Sequence, residues 1–101
     1  MKAKGVKNIH VVTRTWFDKV NGNTYFAQMI VFNWGLKDEQ TIYNPFQYGY
    51  SSYKHHAVRK VAAVVGCEAD ALKGVKLFSV IQRGCKKADL KNDFPFSWFD
   101  Y

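Results

Sequence analysis

Asn21-Gly22 is the feature that most constrains the fold. This dipeptide tolerates the positive φ angles of a tight hairpin turn, and β-branched and aromatic residues flank it from Ile9 to Phe32. Pairing Val20 with Asn23 sets Phe17 opposite Phe26, Thr15 opposite Gln28, Thr13 opposite Ile30 and Val11 opposite Phe32, the more apolar face and the expected core side. The other face carries His10, Val12, Arg14 and Trp16 opposite Asn33, Val31, Met29 and Ala27. Trp16, Met29, Val12 and Val31 make an apolar patch there, for a helix or a partner to cover.

After a turn at residues 33–38, Gln40 to Asn44 reads as a short third strand that stops at Pro45, which has no N–H for a ladder. Residues 45–53 read as a loop with four rings. Ser51 or Ser52 then caps a helix whose stripe is Tyr53, Ala57, Val61 and Val64 and whose stop is Gly66. Residues 75–83 form the last strand, apolar on both faces and therefore expected at the centre of the sheet. The predicted fold is α+β: a βββαβ two-layer sandwich, an antiparallel sheet with one main helix on one face and an aromatic C-terminal tail. Residues 1–101 make a single domain, with 1–7 as a flexible lead-in and 84–101 as a basic and aromatic extension. Residues 94–101 carry five rings and are expected to dock on the chain's own open sheet face, or on a second copy.

Enzyme chemistry finds little support. One domain of 101 residues excludes a cleft between lobes, and the eight acidic residues are scattered with no carboxylate pair. His55-His56 point about 100° apart on a helix and lack a third ligand, and Cys67 and Cys85 sit in no CxxC or CxxH arrangement. No glycine-rich phosphate loop is present. The expectation is a non-enzyme with no cofactor and no metal, without a signal peptide or membrane span, located in the cytoplasm.

The 15 Lys and Arg against eight Asp and Glu give a net charge of +7, which favours anionic partners. Tyr48-Gly49-Tyr50 precedes a helix N-terminus, whose amides and dipole favour anions beside rings able to stack on a base. Arg14, Trp16, Asn23, Tyr25, Tyr48, Tyr50, Lys54 and Arg59 are therefore the candidate ligand-binding residues. Against this stands a structural reading in which Phe46 and Tyr50 plug the corner between sheet and helix and the charges only solvate the surface. Twelve of the positive residues are Lys, which suits phosphate attraction better than bidentate base readout.

Arg14-Thr15-Trp16-Phe17-Asp18, Asn21-Gly22-Asn23-Thr24-Tyr25 and Pro45-Phe46-Gln47-Tyr48-Gly49-Tyr50 resemble a group of short bacteriophage-encoded proteins that share an RxWF…NGNTY…PFxYGY pattern. The likeness spans roughly residues 9 to 60. Ser51 stands where those proteins tend to carry a further Gly. The resemblance implies a viral or prophage origin and a role against host machinery or defence, not a reaction. Three readings follow. The leading one is a small accessory protein that binds a phosphate-containing ligand, nucleic acid or a signalling nucleotide, as monomer or homodimer. Its rival is an inhibitor of a host protein that uses the Trp16/Met29/Val31 face or the tail, and the third is a small nuclease or hydrolase.

Overall fold

A computed structural model describes residues 5–49 and 51–91 of the chain. Tyr50 and the aromatic segment 94–101, with its expected docking, lie outside the described residues. The elements run β1 (Asn8–Asp18), β2 (Asn23–Phe32), β3 (Gln40–Tyr48), α1 (Tyr53–Val65), a 3₁₀ turn (Ala69–Leu72), β4 (Lys76–Gln82) and α2 (Lys87–Lys91). This is the α+β βββαβ fold, with α1 packed on one face of a four-stranded sheet of order β3-β2-β1-β4.

The hairpin forms with its faces as expected, but its register is displaced by two residues. Phe17 pairs with Thr24 and Asp18 with Asn23, so four residues make the loop instead of two. Asp18 causes this by organising the turn. Its Oδ1 accepts from the Val20 amide at 3.0 Å and its Oδ2 from Asn21 Nδ2 at 2.8 Å, while the Gly22 amide donates to the Asp18 carbonyl at 2.7 Å. Gly22 sits at φ +70°, where a side chain would be strained. A displacement of two preserves the alternation, so Ile9, Val11, Phe26, Ile30 and Phe32 still face the helix.

The last strand departs from expectation in direction and place. β4 pairs in parallel with β1 at the sheet's edge, which makes the sheet mixed and β4 an edge strand, not a central one. A chain that leaves β3 through a helix can cross over and return alongside β1, the connection that parallel pairing requires. β4 accordingly keeps Phe78, Val80 and Ile81 substantially exposed.

On α1, Tyr53, Ala57, Val61 and Val65 recur every fourth residue and are buried, with Ala62 beside them; Val64 lies outside the stripe and is exposed. Ser52 occupies the N-cap position in the left-handed region without a side-chain cap bond, whereas Gly66 ends the helix as predicted. The helix is held to the sheet by a buried polar relay. Gln28 Nε2 donates to Thr13 Oγ1 at 3.0 Å and to the Tyr53 carbonyl at 2.7 Å, while Asn44 Nδ2 donates to Gln28 Oε1 at 2.7 Å. Asn44 Nδ2 also donates to the His56 carbonyl at 3.3 Å, so both amide nitrogens and the Gln28 oxygen have the partners that burial demands.

The expected flexible lead-in is tied down where it is described. Val6 is buried, the Lys7 amide donates to Asn33 Oδ1 at 2.7 Å, and Asn33 Nδ2 donates to the Gly5 carbonyl at 2.8 Å.

Candidate functional site

The third strand does not stop at Pro45. It runs on to Tyr48, because the proline occupies a β-bulge on an edge strand, where its missing N–H leaves no gap in the ladder. Asn44 pairs with Gln28 and Gln47 with Phe26, so Pro45 and Phe46 together face the single residue Ala27. The extra residue reverses the alternation. Before it, even-numbered Ile42 and Asn44 point to α1; after it, Phe46 and Tyr48 are carried to the opposite face, beside Tyr25 and Trp16.

Four rings from three strands thereby form one run. Trp16 stacks on Tyr25 with centroids 5.7 Å apart, Tyr25 stacks on Phe46 at 5.0 Å and 8°, and Tyr48 meets the Tyr25 edge at 5.9 Å. Tyr48 is 58% exposed and is the outer end of the run. Lys87, at the start of α2, holds its ammonium 5.6 Å from the Trp16 ring centroid and 5.9 Å from that of Phe46. Trp16 also borders a cavity of about 440 Å³ lined by Phe17, Lys19, Gly84, Cys85 and Lys86. Its size falls within the range of small-ligand sites. The chain enters this region through the Cys85 amide, which donates to the Thr15 carbonyl at 3.0 Å.

Of the predicted site residues, Arg14, Trp16, Asn23, Tyr25 and Tyr48 share this sheet face. Arg14 precedes Trp16 by two residues and is anchored through Nε to Gln82 Oε1 at 2.8 Å. Asn23, paired with Asp18, lies one step beyond the Trp16–Tyr25 pair. Lys54 and Arg59 do not join them, since both are exposed on α1, on the far side of the sheet. Phe46, Lys86 and Lys87 belong with the site residues in their place. Phe46 does not plug the sheet-to-helix corner, and the bulge at Pro45 is the local signal that re-aims it.

The remainder of this face is already filled. Val12, Ala27 and Met29 are buried with Leu90 of α2, and Val31 is 6% exposed. Of the expected apolar patch, Val12 and Met29 thus belong to a second small core that α2 covers, with Trp16 half-buried against its border, while Val31 is buried outside that cluster.

Two electrostatic details bear on the region. The Asp18 carboxyl lies below its ordinary range, chiefly because the Asn21 side chain donates to it, helped by the Asn21 and Val20 amides and the Lys87 charge. Farther along the same face, His10 stacks on Phe78 at 4.7 Å and meets Trp34 edge-on at 4.8 Å, and burial lowers its pKa. Among the described residues no three His, Cys, Asp or Glu side chains come together as a metal site, and no helix is long and apolar enough to cross a membrane. The chain matches no protein-family model, no curated protein and no solved structure.

Proposed function

We propose that the protein is a non-enzymatic module that binds single-stranded nucleic acid, or a nucleotide as its smallest unit, across the Trp16–Tyr25–Phe46–Tyr48 face. The continuous ring run, bordered by Lys19, Lys86 and Lys87, is the observation that carries this reading. Bases stack on exposed rings irrespective of sequence, and lysine ammonium groups track phosphates as point charges. The net charge of +7 favours the encounter. The resemblance to bacteriophage-encoded proteins supports a setting in a host cell, in host takeover or counter-defence.

The test is a fluorescence titration of labelled single- and double-stranded oligonucleotides at 50 and 200 mM salt. Stacking contributes roughly 1–3 kcal/mol per base, so two usable rings and three lysines suffice for micromolar affinity. Three phosphate contacts on a single strand give a log–log salt slope of about −2, or about fifteenfold weaker binding across that range. A mononucleotide shows a far shallower slope. Absence of binding to both polymers and mononucleotides at 50 mM salt contradicts the proposal.

A further inference from the structure

Two cavities of about 350 and 280 Å³ lie on the α1 side of the sheet, away from the ring run. The first is lined by Ser51, Ser52, Lys54, Ser79, Ile81 and Arg83. In the second, Val58, Leu72, Lys73 and Leu77 contribute, and Lys54 lines both. Leu77, Ser79 and Ile81 are the successive α1-side residues of β4, so the two cavities form one groove along that strand, about 13 Å from end to end.

The groove exists because α1 packs chiefly over β3, β1 and β2 and only skirts β4. The strand also has an open edge. Among the described residues β4 pairs only with β1, and its other side is a sheet edge of the kind to which a further strand can add. β4 is moreover too apolar for a solvated edge, with Phe78 52%, Val80 38% and Ile81 38% exposed. Its only internal guard is Lys76 at the first position.

Charge selects the occupant. Lys54, Lys73 and Arg83 line the groove against a single acid, Asp70, and the first turn of α1 beside it holds no acidic side chain. We infer that β4 accepts an extended, acidic-ended peptide segment of a partner protein as a fifth strand, with its apolar side chains in the groove and its carboxylates near Arg83 and Lys54. Main-chain pairing holds such a segment, and the alternate side-chain pockets confer selectivity. This surface is separate from the proposed nucleic-acid face.

The test uses the full chain and a fluorescein-labelled heptapeptide DTVTVTE, followed by anisotropy. Binding in the micromolar range is expected. Arg83→Glu should weaken it at least tenfold, as should Ile81→Lys in the groove, while Tyr48→Ala leaves it unchanged; melting curves confirm that each variant is folded. The lysine-ended KTVTVTK and a DTVTVTE peptide N-methylated at alternate residues should both lose binding. Failure of DTVTVTE to bind at millimolar concentration overturns the inference, as does equal binding by the N-methylated or lysine-ended peptide. Sedimentation that shows concentration-dependent dimers abolished by Ile81→Lys also overturns it, in favour of a second copy at this edge.

Discussion

Asn44 donates from Nδ2 to Gln28 Oε1 at 2.7 Å inside the sheet–helix interface, and through Gln28 it is joined to the backbone of α1 at Tyr53. The pair stands at the last regular rung of β2 and β3 before the bulge that redirects Phe46 and Tyr48. The same two residues therefore fasten the helix and secure the rung from which the ring run departs.

Replacing Gln28 by Leu removes the bonds to the Thr13 hydroxyl and the Tyr53 carbonyl and leaves Asn44 Nδ2 with only its longer bond to the His56 carbonyl at 3.3 Å. A buried polar group left unsatisfied costs about 1–3 kcal/mol. Thermal denaturation should show the midpoint lowered by about 4–8 °C per kcal/mol lost at this chain length. The double change Gln28→Leu/Asn44→Leu should cost less than the sum of the singles, because the partners are removed together. Additive losses would show that the pair is not coupled.

Gly49 follows β3, and a Cβ there would lie 2.6 Å from Phe26 Cε1. Phe26 is fully buried, so its ring has little room to retreat. Gly49→Ala should destabilise the fold by about 1–3 kcal/mol, as overpacking does. Urea denaturation measures this, and an unchanged midpoint would mean that the ring moves freely.

The hairpin, the helix, the order of elements and the core-facing residues of β1 and β2 are legible in the sequence because each rests on a local pattern: Asn21-Gly22, a fourfold helical stripe, strict alternation. What is not legible depends on a single residue acting against its neighbours. Asp18 lengthens the loop by collecting the Val20 and Asn21 amides, and Pro45 bends an edge strand instead of ending it. The latter decides the site. Without the bulge, Tyr48 shares a face with Ile42 and no sequence alternation places it beside Trp16. Lys54 and Arg59 are separated from the rings for a different reason, since the whole sheet lies between them.

The pKa values of His10 and His56 are both lowered, His10 by burial and His56 by burial with the neighbouring His55 and Arg59 charges. The unfolded chain protonates these groups near their ordinary value of 6.5 and the folded chain only below it. Their contribution to stability is therefore whole above pH 6.5 and is lost as pH falls through the depressed folded values. Melting temperatures taken from pH 7.5 to 5 should decline, and His10→Phe, which keeps a ring between Phe78 and Trp34, should flatten the decline. An identical slope in the variant would contradict the role given to His10.

Lys87→Ala removes an ammonium from above Trp16 and Phe46, a contact worth about 0.5–1 kcal/mol at an exposed site. Stability should fall by no more than that. Oligonucleotide affinity should fall severalfold and the salt slope should become shallower by about 0.7, the share of one phosphate contact on a single strand. Tyr48→Ala should weaken binding about tenfold or more with little change in melting temperature, since one stacked base is worth about 1–3 kcal/mol. Lys54→Ala and Arg59→Ala, on the far side of the sheet, should leave the affinity for oligonucleotides nearly unchanged.

The central claim is that nucleic acid lies on the ring face, and NMR mapping addresses it most directly. Titrating an unlabelled oligothymidylate into the ¹⁵N-labelled chain at 50 mM salt should shift the Trp16 indole N–H and the amides of Tyr25, Tyr48 and Lys87 first and furthest. Shifts confined to α1 around Lys54 and Arg59, or no shifts at all, would contradict it.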